Sequence, residues 1–309
     1  MYLNAAWRRC SERFDEVASF IDVSAAAIRM SSDPSIRSDL YGSWVLLTYA
    51  SCQFALHEIG KGCMLFLGER YSNPSRMPEQ VLRAHEKMSF EAVRRLSDGD
   101  LKDKALVRQA LQNIYSKNWA SHSPLLKIER NVWPDNVREW MKRLGINDGD
   151  LAWMSQPASD SSETYASRLS ELVSERNPIA HGDSPSRLLS APLMKDWLTE
   201  CRGFMENCCM SASLHLSREH KPRLRSVGVV DRKVIDKLGK STIPILKTNV
   251  SVRVGDHVLL ADRNERKKIA RIESIKSSGK SHDEVPVGFE AVAFGLNKPH
   301  QGCGVYLTP

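Results

Sequence analysis

The stretch ERNPIAHGD, residues 175–183 of the 309-residue chain, places a proline in a helical pattern beside an arginine and a histidine. Pro178 has no N–H, and it disfavours helical geometry at the preceding Asn177. We therefore expect a helix break here, with Asn177 as the N-cap of a new helix and Pro178 at its first position.

The expected break matters because it would bring Arg176 and His181 together. On one straight helix, side chains five residues apart point about 140° away from each other. A break between them would allow the two side chains to converge. The free N–H groups of the new first turn would also favour a bound phosphate.

An arginine and a histidine in this setting fit metal-free cleavage of RNA. The ribose 2′-OH attacks the adjacent phosphate, and a histidine can take that proton or protonate the leaving 5′ oxygen. An arginine fork holds the phosphate and stabilises the charge of the transition state. Arg176 and His181 are therefore the candidate catalytic pair. An arginine and a histidine at this spacing often occur by chance, so the assignment rests on the residues around them.

No metal and no cofactor is expected from the rest of the chain. The seven cysteines are odd in number and include no CxxC pair, which argues against zinc and fits free thiols in a reducing compartment. The GKS triplets at 239–241 and 279–281 lack the earlier glycine of a phosphate loop.

Residues 1–217 predict an all-α bundle, because apolar positions recur at helical spacing. The expected helices cover 5–30, 36–68, 78–96, 134–145, 163–176 and 192–216, with shorter pieces within 105–160. The most apolar stretch, 43–67, is interrupted by polar and charged residues, so no membrane helix is expected. The first residues have no apolar core of a secretory signal, and we expect a cytoplasmic protein.

The pattern changes after residue 217. A basic linker at 218–225 is followed by short β-branched runs over 226–309, which predict a small β-barrel. The fold class is therefore α + β multidomain, with an N-terminal helical bundle and a C-terminal barrel. Residues 218–309 carry 18 basic and 10 acidic side chains, whereas residues 1–217 carry 26 and 27. The net charge of +7 thus belongs to the C-terminal segment.

The run RNPIAHG resembles the R-N-x-x-A-H-G motif of the HEPN superfamily, in particular its RiboL-PSP-like and MAE-like branches. The resemblance covers about residues 1–217, including the long helix around 45–61. It implies a metal-independent RNase that acts in a toxin or antiviral defence role. It also implies a homodimer in which two motifs share a cleft, and a protein partner that neutralises or activates the enzyme. By position, Arg176 and His181 become the catalytic pair and Asn177 the variable polar residue.

One position departs from that family pattern. Related sequences often carry an acidic residue in the second helix where this chain has Gln53. Glu58, one turn further on, offers a carboxylate that could take its place, so both residues are expected to support Arg176. The alternative is a HEPN domain that does not cut RNA, and serves as an RNA- or nucleotide-binding or dimerisation module of a larger defence complex.

The C-terminal region, about 226–309, resembles the second-domain β-barrel of translation elongation factors, through VRVGDHVLL (252–260), IARIESI (269–275) and PVGFEAVAFGL (286–296). The GTP-binding domain of those factors is absent, so GTP hydrolysis is not implied. The resemblance implies contact with tRNA or another translation RNA. Basic clusters attract phosphate irrespective of sequence, although most are simply solvated. The candidate RNA-binding residues are Arg223, Arg225, Arg266, Lys267, Lys268 and Arg271.

Overall fold

The computed structural model describes residues 2–30, 33–98, 112, 119–122, 131–158, 162–220, 224–231, 241–261, 267–298 and 304–308. The chain forms two compact units. One is Arg9–Ser211, and the other combines Met1–Arg8 with Ala212–Pro309. The expected fold class is confirmed, because a helical N-terminal region precedes a C-terminal antiparallel sheet that nearly closes into a barrel.

The helical positions follow the expected pattern closely. The described helices are α1 (Tyr2–Met30), α2 (Pro34–Arg70), α3 (Glu79–Asp98), α4 (Pro134–Arg143), α5 (Tyr165–Ala180) and α6 (Ala191–His220). Short 3-10 turns lie at Pro74–Arg76, Trp119–His122 and Asp148–Ser155. Most of the shorter pieces expected between 105 and 130 lie outside the described residues. Helix α6 extends into the predicted 218–225 linker, and the domain bounds stay a prediction.

Helix α2, with 37 residues, is the longest described helix and is mostly buried. It starts where Pro34 takes the first turn and the Asp33 side chain accepts a hydrogen bond from the Ser35 amide at 2.9 Å. Between residues 41 and 67 it is buried except for one narrow stripe. The exposed members of that stripe are Ala50, Gln53, Phe54, His57, Lys61 and Leu65.

Helix α6 tests a predicted buried stripe, because its apolar residues recur at helical spacing: Leu193, Trp197, Cys201, Phe204, Cys208, Ala212 and Leu216. Trp197, Cys201, Phe204, Cys208, Ala212 and Leu216 are all buried. The prediction is wrong for Leu193, which is 54% exposed. Leu193 lies in the first turn of the helix, where a terminus has fewer neighbours to pack against. Six cysteines within the described residues are free thiols, all of them buried. Burial raises the pKa of both Cys10 and Cys63 to about 12, which makes these thiols core residues rather than reactive ones.

The C-terminal region has nine short strands in the described part of the chain, seven in one antiparallel sheet and two in a separate antiparallel pair. They are β1 (Gly228–Val230), β2 (Thr242–Thr248), β3 (Val252–Arg253), β4 (His257–Ala261), β5 (Lys267–Ser277), β6 (Lys280–His282), β7 (Glu284–Val285), β8 (Glu290–Leu296) and β9 (Gly304–Leu307). The strand order of the larger sheet is β1-β2-β8-β5-β4-β9, with β6 beside β5. The smaller sheet consists of β3 and β7.

The two ends of the larger sheet approach each other. The Val227 amide donates to the Val305 carbonyl at 2.9 Å, and the Leu307 amide donates to the Arg225 carbonyl at 2.9 Å. Alternate residues of the strands fill one apolar core, which includes Ile243, Val258, Ile272, Phe294 and Val305. Closure protects edges that would otherwise be open to other chains.

The structure forms strand β2 over TIPILKT, although a proline such as Pro244 is unfavourable in a central strand. Pro244 stands opposite Asp231, just beyond the end of β1, so its missing N–H falls where β1 has ended. The irregularity in the β1–β2 register lies further along, between Ile245 and Thr248. The Pro244 carbonyl accepts from the Asp231 amide at 2.9 Å, and across the other edge Pro244 pairs with Ala293.

The first two turns of α1 belong to the barrel unit. The Asn4 side chain donates to the His257 carbonyl at 3.1 Å and accepts from the His257 amide at 2.8 Å. Arg8 pairs with the fully buried carboxylate of Asp256 at 2.9 Å. An N-terminal segment therefore completes the polar contacts of the C-terminal sheet.

Candidate active site

The expected break at Pro178 is wrong. Helix α5 is continuous through Pro178 and ends at Ala180, with His181 as its C-cap. A proline in the last turn removes only one helical hydrogen bond, and packing keeps that turn in place. A methyl group of Ile179 lies 3.4 Å from the position that a β-carbon on Gly42 of α2 would take.

The HGD sequence after Ala180 stops the helix. The Gly182 amide donates to the Ile179 carbonyl at 3.1 Å, and the Asp183 amide donates to the Pro178 carbonyl at 3.0 Å. Gly182 has φ +91°, the left-handed conformation that this Schellman arrangement needs. The expected phosphate site at free N–H groups of a new first turn is therefore also wrong, because the segment is a helix C-terminus.

Arg176 is half-buried, and its contacts among the described residues are with uncharged groups. Its guanidinium carbon lies 4.5 Å from the centre of the Tyr49 ring, and its Nη1 donates to the Asn177 side-chain oxygen at 3.3 Å. No carboxylate pairs with Arg176 among the described residues, and its buried Nε has no hydrogen-bond partner there. By contrast, Arg168 pairs with both Glu171 and Glu200.

A chain of side-chain hydrogen bonds extends from Asn177 to Gln53. Asn131 Nδ2 donates to the Asn177 side-chain oxygen at 3.2 Å, and the Tyr49 hydroxyl donates to Asn131 Oδ1 at 3.1 Å. Gln53 Nε2 in turn donates to the Tyr49 hydroxyl at 3.4 Å. Burial raises the pKa of Tyr49, so this hydroxyl remains a donor at neutral pH.

Sequence reasoning missed Tyr49 and Asn131. Tyr49 stands one helical turn before Gln53, and that spacing is a signal that could have been used. Asn131 gives no such signal, because it is brought to the site by tertiary packing. Its own carbonyl accepts from the Trp133 amide at 2.8 Å and from the Asn136 side chain at 2.9 Å, which fixes its backbone.

The structure separates the two residues that were expected to support Arg176. Gln53 reaches the Arg176 cluster through Tyr49. Glu58 is buried and is paired with Arg9, whose Nε donates to Oε2 at 2.6 Å. Within the described residues, no bond joins Glu58 to Arg176.

His181 is exposed at the end of α5. Because the helix is unbroken, Arg176 and His181 leave it about 140° apart, and the helix rises about 7.5 Å between them. The local backbone therefore does not bring the two side chains together within one chain.

The segment after the motif folds back on α5. The buried Glu175 carboxylate accepts from the Ser186 amide at 3.1 Å and from the Ser186 hydroxyl at 2.6 Å. Burial raises the pKa of Tyr41 to about 12, and the negative charge of Glu175 adds to the effect. The two bonds from Ser186 to Glu175 hold the loop that follows His181.

The candidate RNA-binding residues of strand β5 lie on both of its faces. Lys267 and Arg271 lie on one face of β5 and Lys268 on the other, because successive residues of a strand alternate. Arg225 is exposed just before β1. Arg223 and Arg266 lie outside the described residues.

The chain belongs to the RiboL-PSP-HEPN family, whose model matches residues 8–208. HEPN domains are in general nuclease or nucleotide-binding modules, and they commonly bind RNA and dimerise. The match covers Arg176, Asn177 and His181 together with Tyr49 and Asn131. It ends before the barrel, whose resemblance to elongation factors stays a prediction.

Two solved structures are similar to part of the chain. The C-terminal domain of a Geobacillus thermoleovorans protein described as a U32 peptidase is 17% identical, with a TM-score of 0.22, over 28% of this chain and 93% of that domain. Its selenomethionine variant gives the same identity and TM-score over 28% and 99%. No curated protein matches the chain. No helix in the described part of the chain is long and apolar enough to cross a membrane.

Proposed function

We propose that the protein is a metal-independent endoribonuclease. The observation that supports this most directly is the environment of Arg176, a half-buried cation that has no carboxylate partner among the described residues. An arginine that keeps its charge while one face rests on an aromatic ring is suited to bind a phosphate. It lies in the family's motif, and the exposed His181 follows five residues later.

The reaction is a transesterification within RNA. The ribose 2′ oxygen bonds to phosphorus and the bond from phosphorus to the 5′ oxygen breaks, which leaves a 2′,3′-cyclic phosphate and a 5′-OH. His181 takes the 2′ proton or gives a proton to the leaving 5′ oxygen, and Arg176 holds the non-bridging oxygens. Asn177 supports Arg176 by accepting from its Nη1.

We further propose that the active cleft needs two copies of the chain. The unbroken α5 holds Arg176 and His181 on different sides of one helix, so a second copy can supply the group that the first copy directs elsewhere. A homodimer would place two motifs in one cleft and would complete two equivalent sites.

The substrate that we propose is tRNA or another translation RNA, captured by the basic barrel. The excess of positive charge over residues 218–309 supports this division of capture and cleavage. The proposed biological role is that of a toxin or an antiviral defence enzyme, with a protein partner that neutralises or activates it in the cytoplasm.

The experiment is cleavage of total RNA by the purified full chain in EDTA, with the product ends mapped. We expect cyclic-phosphate ends, and at least a hundredfold loss of rate in His181→Ala and Arg176→Ala. Arg29→Ala, which removes an exposed arginine of α1, is the matched control and should cleave normally. Equal cleavage by His181→Ala, or loss of cleavage in EDTA, would contradict the proposal.

A non-catalytic RNA- or nucleotide-binding module is the second candidate. The neutral Gln53 favours it, because the resemblance to the HEPN superfamily implies an acidic residue at this position. In that case the purified chain would cleave no RNA. The His181→Ala variant would bind RNA as the parent does, and Arg176→Ala would still bind less tightly.

A further inference from the structure

We propose that Tyr49 and Asn131 are positioning residues that fix the Arg176 guanidinium for the scissile phosphate through an uncharged cradle. The inference rests on the proposed ribonuclease function and deepens it. The cradle is the set Tyr49, Gln53, Asn131 and Asn177, which are joined to each other and to Arg176 by the contacts described above.

Tyr49 provides the aromatic ring on which the Arg176 guanidinium lies. The residue is 2% exposed, so the core holds its ring in one orientation, and the guanidinium carbon lies 4.5 Å from the ring centre. That distance is within the range of a cation–π contact, which attracts a cation without neutralising it. The ring thereby fixes one face of the guanidinium and leaves the charge available for a ligand.

Asn131 sets the direction of the hydrogen bonds. Its Oδ1 accepts from the Tyr49 hydroxyl, so its Nδ2 is the group that donates to Asn177. The Asn177 oxygen then accepts from both Asn131 and Arg176 Nη1. The orientation of Asn177, and with it that of Arg176, therefore depends on a residue 46 positions earlier in the chain.

An uncharged cradle differs chemically from an ion pair. A carboxylate beside Arg176 would hold the side chain but would compete with phosphate for the same N–H groups. Aromatic and amide groups restrict the guanidinium and leave Nη2 without a hydrogen bond or ion pair among the described residues. The neutral Gln53, which bonds to Tyr49, is consistent with this arrangement.

The test is a double-mutant cycle on the full chain, with kcat and KM for RNA cleavage as the measurements. Tyr49→Phe keeps the ring and removes the hydroxyl's bonds with Asn131 and Gln53. Asn131→Ala removes the links of Asn131 to Tyr49 and Asn177. We expect each variant to lower kcat about tenfold with KM changed less than twofold. In an Arg176→Lys background, the same substitutions should change kcat less than twofold, because the group that they position is gone.

Tyr41→Phe is the matched control, since Tyr41 is a buried tyrosine of the same helix for which the described contacts show no link to Arg176. It should leave kcat unchanged at a comparable melting temperature. Tenfold losses that persist in Arg176→Lys, or an equal loss in Tyr41→Phe, would overturn the inference. An Arg176→Lys enzyme as fast as the parent would instead contradict the proposed role of Arg176 itself.

Discussion

The Asp183 amide donates to the Pro178 carbonyl at 3.0 Å, and this bond closes α5 immediately after His181. The residue expected to begin a helix therefore takes part in ending one. The consequence for the site is that His181 is presented at a helix C-terminus by a fixed turn, while Arg176 lies in the last full turns of the helix against α2.

Gly182→Ala should destabilise the protein and reduce cleavage. The residue has φ +91°, which costs an alanine roughly 1–2 kcal/mol even though nothing lies within 4 Å of the added β-carbon. We expect a loss of about 1 kcal/mol in urea unfolding and a lower kcat, because the turn that presents His181 shifts.

Gly149→Ala is the matched control for that substitution. Its added β-carbon also meets nothing within 4 Å, and no positive φ strains it. It should leave both stability and kcat within error of the parent. Equal effects of the two substitutions would show that the left-handed turn is not what matters.

A glycine ends the helix at both Gly145 and Gly182, but the sequence predicts only the first of these ends. Gly145 after α4 has φ +91° and its amide bonds to the Lys142 carbonyl at 2.9 Å, as a C-terminal glycine should. Gly182 has the same role, but Pro178 four residues earlier favours the opposite interpretation. The sequence near Pro178 shows that one helical hydrogen bond is missing, but it does not show that Ile179 packs on Gly42 and stabilises the helix there.

Long-range contacts explain why only part of the site could be predicted. Periodicity located the helices, and the motif identified Arg176, Asn177 and His181. The partners Tyr49 and Asn131 are 82 positions apart in sequence, and only the packed bundle brings them together. In the same way, no local pattern places Asn4 against His257, 253 positions away.

Glu58→Gln should affect stability rather than cleavage. The buried Glu58 carboxylate binds Arg9, and the substitution removes that charge while Arg9 remains half-exposed to water. We expect a loss of about 1 kcal/mol in urea unfolding and an unchanged kcat with RNA. A large fall in kcat at unchanged stability would instead assign Glu58 to Arg176.

Alkaline pH should destabilise the protein through its buried thiols. Cys63 ionises around its ordinary pKa of 9.0 in the unfolded chain, but the folded thiol stays protonated up to about pH 12. The unfolded state therefore loses protons first, and the stabilising contribution that is complete below pH 9 declines as pH rises towards 12. Urea unfolding between pH 8 and pH 10 should show this fall, and Cys63→Ala should show less of it. An equal slope in both proteins would contradict the assignment.

Asn4→Ala should destabilise the barrel unit. Asn4 satisfies both the amide and the carbonyl of the buried His257, and the substitution leaves these two backbone groups without that partner side chain. We expect a loss of about 1–3 kcal/mol, measured by hydrogen exchange at β4. Asn4→Asp keeps the acceptor but sets a charged oxygen against the His257 carbonyl, so it should destabilise the barrel at least as much as Asn4→Ala. A barrel that exchanges at the parent's rate in Asn4→Ala would show that the N-terminal turn is dispensable.

Replacing Lys267 and Arg271 by glutamine should weaken RNA capture without slowing the chemical step. The two side chains share one face of β5, and removing one cation that binds a phosphate of single-stranded RNA lowers the salt slope of binding by about 0.7. We expect a higher KM, an unchanged kcat and a shallower salt dependence. Lys276→Gln with Lys280→Gln removes the same charge from exposed positions on the β5–β6 hairpin, and so serves as the matched control. If both pairs raise KM equally, net charge attracts the RNA; if only the first pair does, the Lys267–Arg271 face is the capture surface.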